Sequence, residues 1–207
     1  MTAWQLDTYG ESEPFAGDLA RGAYISTARI ILMSVISMGV YWIYWMYRTW
    51  KQYRDHTIEM AAESGDTHHP VWHGLTQLVP VYGWFRYHAH IRQYQALMVE
   101  QGVPDTLNLG LLTTVVVING IVGIVAGTLR SPELYSGAVL LAGVILSIIT
   151  LIVAIVVLCV MQSNLNRYWA SVDGRLERTA RFGKGEVVCV VLGVLFWAGV
   201  VADFIWS

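Results

Sequence analysis

The residues of this sequence best suited to chemistry are its six histidines. Histidine is the usual axial ligand of haem and could equally hold the magnesium of a chlorin. His88 and His90 are two positions apart and face different sides of a helix, so one helix does not direct both at one metal. A bis-histidine haem needs histidines on two membrane helices, and the apolar segments after residue 107 contain none. A single pigment or haem ligand at His73 or His88 stays open as a hypothesis, although no cofactor is predicted.

Other catalytic arrangements are absent from the sequence. It contains no HExxH zinc motif, no Walker loop and no nucleophile elbow. Glu186 and Asp203 stand at the two ends of one apolar segment, roughly 25 Å apart if that segment is helical. Cys159 and Cys189 both fall within apolar runs, where thiols are buried and unreactive. We therefore expect no enzyme activity, no catalytic residue and no metal site.

The composition indicates a membrane protein. Of the 207 residues, 55% are hydrophobic and only 14% are charged, whereas a soluble domain carries about 25% charged residues. The formal net charge of −2 creates no basic field, so nucleic acid is not an expected partner. Residues 1–25 form an acidic tail without the basic start and short apolar core of a signal peptide. The first apolar run is therefore expected to remain as a membrane anchor.

Hydrophobic length predicts the fold class. A helix of about 20 apolar residues crosses a bilayer, and four segments reach that length, at about 27–50, 107–129, 134–161 and 187–206. Residues 71–98 differ, because their apolar part is short and is broken by Pro80 and Gly83. We predict an all-α integral membrane protein with about four transmembrane helices plus one Pro-broken re-entrant or interfacial helix. Residues 26–207 would form a single helical membrane domain.

An aromatic block follows the first apolar run. Seven Tyr or Trp residues lie between Tyr41 and Tyr53, and basic residues come next. That order is typical of a transmembrane helix that leaves the hydrocarbon for the cytoplasm. Because the rings point in several directions around a helix, we expect an interfacial collar. The predicted lipid or partner contacts are Tyr41, Trp42, Trp45, Arg48, Trp50, Lys51, Arg86, Arg92, Tyr168 and Trp169.

Small residues predict how two of the spans pack. Gly123 and Gly127 form a small-xxx-small pair of the kind that lets membrane helices approach closely. The next segment carries a matching face of small residues, so the two segments should form a tight hairpin. Asn119 lies mid-span and is expected to make an interhelical hydrogen bond. The residues predicted for helix packing are Gly120, Gly123, Gly127, Gly143 and Ser147.

A weak internal repeat joins two parts of the chain. The stretch from Val40 to Tyr53 resembles that from Val81 to Tyr94 at an offset of 41 residues. The repeat suggests a second aromatic collar at the same membrane face.

The distribution of positive charge predicts the orientation. Basic loops stay in the cytoplasm. If residues 71–98 do not cross, ten of the thirteen Lys and Arg residues share one side and three occupy the other. If they cross, the split is nine against four, a weaker bias. The first arrangement is preferred, and it makes both termini extracytoplasmic.

The aromatic block also carries a family resemblance. Ser37-x-Gly39-x-Tyr41-x-x-Tyr44-Trp45 resembles the opening motif of a family of small bacterial multi-pass inner-membrane proteins of unknown function, of the domain-of-unknown-function type. Residues 162–169 are similar to a later motif of that family, and Pro80 with Arg86 to its middle element. The resemblance implies a multi-helix protein of the bacterial cytoplasmic (inner) membrane, and it lends no activity, substrate or catalytic residue.

These observations favour a non-catalytic integral membrane protein that is an accessory or scaffolding subunit of a larger membrane complex. Its partners would be the lipid bilayer and a membrane protein or a second copy of the chain. Two alternatives remain open, a small-molecule or ion transporter or channel, and a pigment- or haem-carrying membrane subunit.

Overall fold

The computed structural model describes residues 24–60, 69–131, 137–173 and 182–206, and within them every regular element is a helix. In chain order the helices are α1 (Thr27–Ile36), α2 (Tyr41–Met60), α3 (Pro70–Leu75), α4 (Tyr82–Glu100), α5 (Leu109–Leu129), α6 (Ala138–Asp173) and α7 (Lys184–Trp206), and a 3₁₀ turn at Thr76–Leu78 follows α3. Nearly all of the predicted acidic tail lies outside the described residues.

Three helices are long and apolar enough to cross a membrane, at Leu109–Leu129, Ala138–Val172 and Lys184–Ala202. They confirm an all-α membrane protein, and they overlap three of the four predicted spans. α6 is longer than predicted, because its 36 residues extend about 54 Å against an apolar layer about 30 Å thick. Its polar residues begin at Gln162, so the excess length belongs to its carboxyl-terminal end.

The first apolar segment is not one helix. α1 ends in a turn that holds Gly39 at a φ of 90°, where the Gly39 N–H donates to the Ser34 carbonyl at 2.9 Å. This bond closes the helix end in the manner of a Schellman motif. The Ser37 hydroxyl then accepts a hydrogen bond from the Tyr41 N–H at 2.9 Å, at the start of α2. The prediction of a single helix over 27–50 is therefore wrong, because turn residues end a helix that hydrophobicity alone would continue.

α1 and α2 form a hairpin, the first hairpin, whose two ends meet the same end of α6. The Asn166 side chain bonds both the N–H and the carbonyl of Ile25, at 3.3 and 2.9 Å. At the far end of α2, His56 Nε2 lies 2.6 Å from the Tyr168 hydroxyl. The turn between the two helices instead lies against Leu151, about 22 Å back along α6. Both open ends of the first hairpin therefore lie beside the carboxyl-terminal end of α6.

α3, the 3₁₀ turn and α4 form a second hairpin of the same kind. The chain reverses at Val81, whose φ is 67°, so the helix break that Pro80 and Gly83 predict is present. Near the reversal, the indole N–H of Trp42 donates to Gln77 Oε1 at 3.1 Å. At the open end, the Gln95 side chain donates to the Leu107 carbonyl at 2.8 Å.

The two hairpins pack against each other through equivalent positions of the sequence repeat. Thr49 Oγ1 lies 3.0 Å from His90 Nε2, and these residues are 41 positions apart. The Tyr53 and Tyr94 rings, also 41 apart, meet edge to face with centroids separated by 6.0 Å. Contacts between equivalent residues are what a local twofold relation produces. The sequence repeat thus corresponds to a structural relation between the two hairpins.

α5 and α6 pack side by side, as the sequence predicts. Asn119 Nδ2 donates to the Thr150 carbonyl across the two helices at 3.2 Å, which confirms the predicted interhelical bond. A side chain at Gly143 would lie 3.0 Å from the backbone of Leu129, so this glycine does permit a close approach. The Ser147 hydroxyl bonds the Gly143 carbonyl within α6.

The glycines of α5 that were predicted for helix packing do not pack against α6 as predicted. A side chain at Gly120 would collide with the indole of Trp84, which belongs to α4 rather than α6. A side chain at Gly123 or Gly127 would meet nothing within 4 Å among the described residues. The Gly123–Gly127 pair therefore does not bring α6 close, and Gly127 instead lines an open pocket with Leu140 and Val144 of α6.

Gly193 marks the closest approach of α7 to the first hairpin. A side chain at Gly193 would collide with the Ile36 carbonyl oxygen, whereas one at Gly199 would meet no described residue within 4 Å. We expect Gly193→Ala to lower the free energy of unfolding by about 1–3 kcal/mol, the range for overpacked sites. Gly199→Ala, on the same helix, should leave it unchanged. SDS titration of both variants in mixed micelles measures this, and equal stabilities would contradict the packing.

Candidate functional site

A buried ion cluster ties the first hairpin to α7. Glu186 is fully buried on the first turn of α7. Arg29 donates to both of its carboxylate oxygens, from Nε at 2.9 Å and from Nη2 at 2.5 Å. Arg48 Nη1 lies 3.6 Å from Oε1, and the Gly183 N–H donates to Oε2 at 2.7 Å. A two-pronged Arg–carboxylate bond of this kind is strong and fixes its geometry.

The cluster has a structural use rather than a catalytic one. Both oxygens of Glu186 are occupied by donors from two helices and a loop, so the carboxylate has no free position for a substrate proton. The Arg29 guanidinium also lies over the Phe182 ring, 4.6 Å from its centre. Sequence reasoning missed this cluster, because it compared Glu186 only with Asp203. A usable signal was present, since charges inside apolar segments usually pair with one another.

Most of the predicted aromatic collar is interior. Five of its rings are at most 2% exposed, namely those of Tyr41, Trp45, Trp50, Tyr168 and Trp169. The prediction that these five contact lipid or a partner is wrong, because the two hairpins and the end of α6 enclose them. Trp42 and Arg48 are half-buried, whereas Lys51 and Arg92 are exposed.

Hydrogen bonds join this aromatic interior to the spanning helix α6. The Trp45 indole N–H donates to Gln162 Oε1 at 2.8 Å. The Tyr94 hydroxyl donates to the Thr49 carbonyl at 2.8 Å. Tyr and Trp suit such a place, because each combines a large apolar body with a polar handle. The interior is therefore packed and hydrogen-bonded at once.

The two predicted pigment ligands have other contacts. The His73 imidazole stacks on the Trp50 indole, with ring centres 3.9 Å apart and planes 12° apart. His88 Nδ1 lies 3.0 Å from the Thr113 hydroxyl. Within the described residues, no group of three His, Cys, Asp or Glu side chains could hold a metal ion. His73 and His88 are thus engaged in packing and hydrogen bonding.

Outside the spanning helices, the end of α2 carries two perturbed groups. Burial lowers the pKa of His56 below its ordinary value, although the charge of Glu100 opposes that shift. Burial raises the pKa of Asp55, but hydrogen bonds from Lys51 and Arg54 outweigh it, so the pKa is lowered. Neither arrangement resembles an acid–base pair, because His56 contacts a tyrosine hydroxyl and Asp55 contacts cations.

A cavity of about 510 Å³ opens between α3 and α4 and is called the hairpin cavity below. Polar and apolar side chains both line it, and the apolar share is the larger. Its polar and aromatic lining includes His69, Trp72, His73, Tyr82, Arg86 and Gln93. Arg86 and Arg92, predicted together as lipid contacts, are separated by the structure, since only Arg86 lines this cavity.

A smaller pocket of about 170 Å³ lies deeper, near the reversal of the second hairpin. Gln77 and Asn119 supply its polar side chains, and Trp42 and Trp84 close it. Val79 lines both this pocket and the hairpin cavity, so the two are neighbours. Polar groups therefore extend from the open end of the second hairpin to the middle of α5.

No protein-family model, curated protein or solved structure matches the chain. The family resemblance of the Ser37 motif therefore stays a prediction, and function has to be argued from geometry.

The ion cluster yields a stability prediction. We expect Glu186→Gln to lower the free energy of unfolding by about 3 kcal/mol or more, because two arginines lose their buried partner. The matched control is Asp55→Asn, which breaks the more exposed Lys51–Asp55 pair and should cost less than about 1 kcal/mol. SDS titration of both variants measures the difference. Equal losses would show that the cluster does not hold α7 in place.

Proposed function

We propose that the chain is a multi-pass protein of the bacterial cytoplasmic membrane, with three spanning helices and two re-entrant hairpins. The spanning helices would be α5, α6 and α7. The support for the hairpins is their geometry. The first hairpin has both open ends beside the carboxyl-terminal end of α6 and its turn beside Leu151. The second reverses beside Ala154 and Val157 of α6, and the segment after α4 returns to Asn164 through Thr106. This arrangement replaces the four-span prediction, because residues 27–50 turn back instead of crossing.

The positive charges support one orientation of this arrangement. By connectivity, only Arg130 lies between α5 and α6, on the side away from the open ends of the hairpins. The other twelve of the thirteen Lys and Arg residues then belong to the hairpin side, against ten in the four-span arrangement. Basic segments stay in the cytoplasm. The hairpins would therefore insert from the cytoplasm, with the residues before α1 inside and the end of α7 outside.

Cysteine accessibility tests this orientation. Single cysteines at Ser12, Gln101 and Ser131, in a background with Cys159→Ser and Cys189→Ser, are exposed to an impermeant maleimide on intact spheroplasts. We expect Ser131→Cys to react at once, and Ser12→Cys and Gln101→Cys to react only after lysis. Reaction of Ser12→Cys in intact spheroplasts would instead support four spans.

We propose that the protein acts without catalysis, as an accessory or scaffolding subunit of a larger membrane complex. The observation that carries this proposal is the free outer half of α7. The first hairpin packs on α7 up to Gly193. Beyond it the apolar side chains of Val194, Leu195 and Phe196 are 58%, 63% and 48% exposed.

A groove beside this free half suits a partner helix. It encloses about 800 Å³ between the tip of α1 and α7 and is lined almost wholly by apolar atoms. Ala198 and Ala202 both line it, four residues apart, and small residues at that spacing let membrane helices pack closely. Trp197 supplies a large ring at the same face.

Site-specific photo-crosslinking tests the scaffold proposal. A photoreactive residue replaces Ala198 in the groove or, as the control, Ile124 on α5, which is 55% exposed. We expect a discrete protein adduct from position 198 in native membranes and none from position 124. A second copy as occupant would give the same adduct from purified protein in nanodiscs. Adducts to lipid alone at both positions would contradict the proposal.

A transporter or channel is the second candidate. The neighbouring polar cavities favour it, since they extend from the open end of the second hairpin to Asn119. Flux of solute through proteoliposomes above that of empty liposomes, reduced by Asn119→Leu, would favour transport over scaffolding.

A further inference from the structure

Arg86 lies on α4 between two residues that contact the apolar helix α5. Trp84 contacts Gly120, and His88 contacts Thr113. Gly120 and Thr113 are about 16 and 6 Å, respectively, from the start of α5. The position of Arg86 therefore falls within the apolar layer that α5 crosses, if the second hairpin inserts as proposed above.

The guanidinium of Arg86 contacts an aromatic ring, and no acidic side chain is among the described residues that line its cavity. Its Nε donates to the Tyr82 hydroxyl at 3.1 Å, and its central carbon lies 5.3 Å from the centre of the Tyr82 ring. Among the described residues that line the hairpin cavity there is no Asp or Glu. Arg29 and Arg48, by contrast, share the carboxylate of Glu186. A cation at this depth needs an anion or water, and Arg86 faces a cavity that admits either.

The cavity offers further hydrogen-bonding groups around that cation. Gln93 lines it together with the buried His73, and Gln93 Oε1 accepts a hydrogen bond from the Tyr53 hydroxyl. The Thr76 hydroxyl, also in the lining, donates to the His73 carbonyl. Arg is the side chain whose planar donors best match phosphate oxygens. A volume of about 510 Å³ also falls within the range of roughly 300–1,000 Å³ that is usual for ligand sites. Arg86 thus gives the cavity one side chain suited to phosphate oxygens, in a volume suited to a ligand.

The second hairpin also exposes large apolar side chains. Trp72, which lines the cavity, is 66% exposed, and Leu78 and Phe85, which belong to the same hairpin outside the cavity lining, are 63% and 68% exposed. A cavity of mixed lining that holds one cation and no acidic side chain among the described residues, next to exposed apolar side chains, suits an amphiphile better than a soluble anion. The phosphate would enter the cavity and the acyl chains would lie along these side chains.

We propose that the hairpin cavity binds the phosphate of an anionic phospholipid through Arg86. This proposal rests on the re-entrant placement of the second hairpin, but it does not depend on a scaffold role. Binding can be measured on the purified full-length chain in detergent, so a failed crosslink at Ala198 and a failed lipid titration report on different claims.

Native mass spectrometry provides the test. The full-length chain in a non-ionic detergent is titrated with phosphatidylglycerol, with phosphatidylcholine and with inorganic phosphate. We expect one phosphatidylglycerol to bind, and Arg86→Gln to weaken it about tenfold or more, since a charge-assisted hydrogen bond is lost. The matched control is Arg92→Gln, which removes an exposed cation from the same helix outside the cavity.

A second variant separates the loss of the cavity from the loss of the Arg86 charge, so that misfolding of Arg86→Gln does not decide the test. Ala89 lines the cavity, so Ala89→Phe should fill it and abolish lipid binding while keeping the charge of Arg86. Equal affinity of wild type and either cavity variant would overturn the proposal, as would equal weakening by Arg92→Gln. Tight binding of inorganic phosphate without preference for phosphatidylglycerol would assign the cavity to a soluble anion and also overturn it. Equal binding of phosphatidylcholine and phosphatidylglycerol would also overturn the proposal.

Discussion

The bond between Arg29 and Glu186 is the constraint on which the rest of this structure depends. α1 has only 10 residues and is about 15 Å long, so it cannot cross a bilayer, and it carries a cation within an apolar run. The pairing with Glu186 resolves both problems, because it satisfies the cation and attaches the short helix to a spanning one. Gly193 then lies about two turns further along α7 and lets the Ile36 carbonyl approach it. Charge and close packing thus set one register between the first hairpin and α7.

The aromatic interior follows from the same geometry. Two hairpins that reverse beside the middle of α6 leave a space between them that has to be filled, and it lies beside helix backbones and polar side chains. Leu or Ile would fill it but could not bond the Gln162 side chain or the Thr49 carbonyl. Trp45 and Tyr94 do both. The density of Tyr and Trp in α2 therefore reflects enclosure by protein more than residence at a lipid surface.

The sequence predicted those parts of the structure for which length and periodicity are sufficient signals. α5, α6 and α7 are apolar over the length of a bilayer, and Pro80 with Gly83 marks the break in the second hairpin. The first hairpin was not predicted, because residues 30–47 carry no charge and only Ser37 and Gly39 signal the turn. The collar was misassigned for a related reason, since rings that point in all directions suit a lipid interface and an enclosed helix equally. The Glu186 cluster joins residues 157 positions apart, and no local pattern reports such a distance.

The internal repeat gains a physical meaning from the hairpins. At an offset of 41, Thr49 corresponds to His90, and these two residues meet. One turn nearer the tips, Trp45 corresponds to Arg86. In the first hairpin this position faces α6, and an indole fills it and bonds Gln162. In the second hairpin the same position faces the hairpin cavity, and it holds a guanidinium. The two hairpins thus share one backbone arrangement but carry a packing residue, Trp45, in one and a charged residue, Arg86, in the other. The difference follows from whether α6 covers that face of the hairpin.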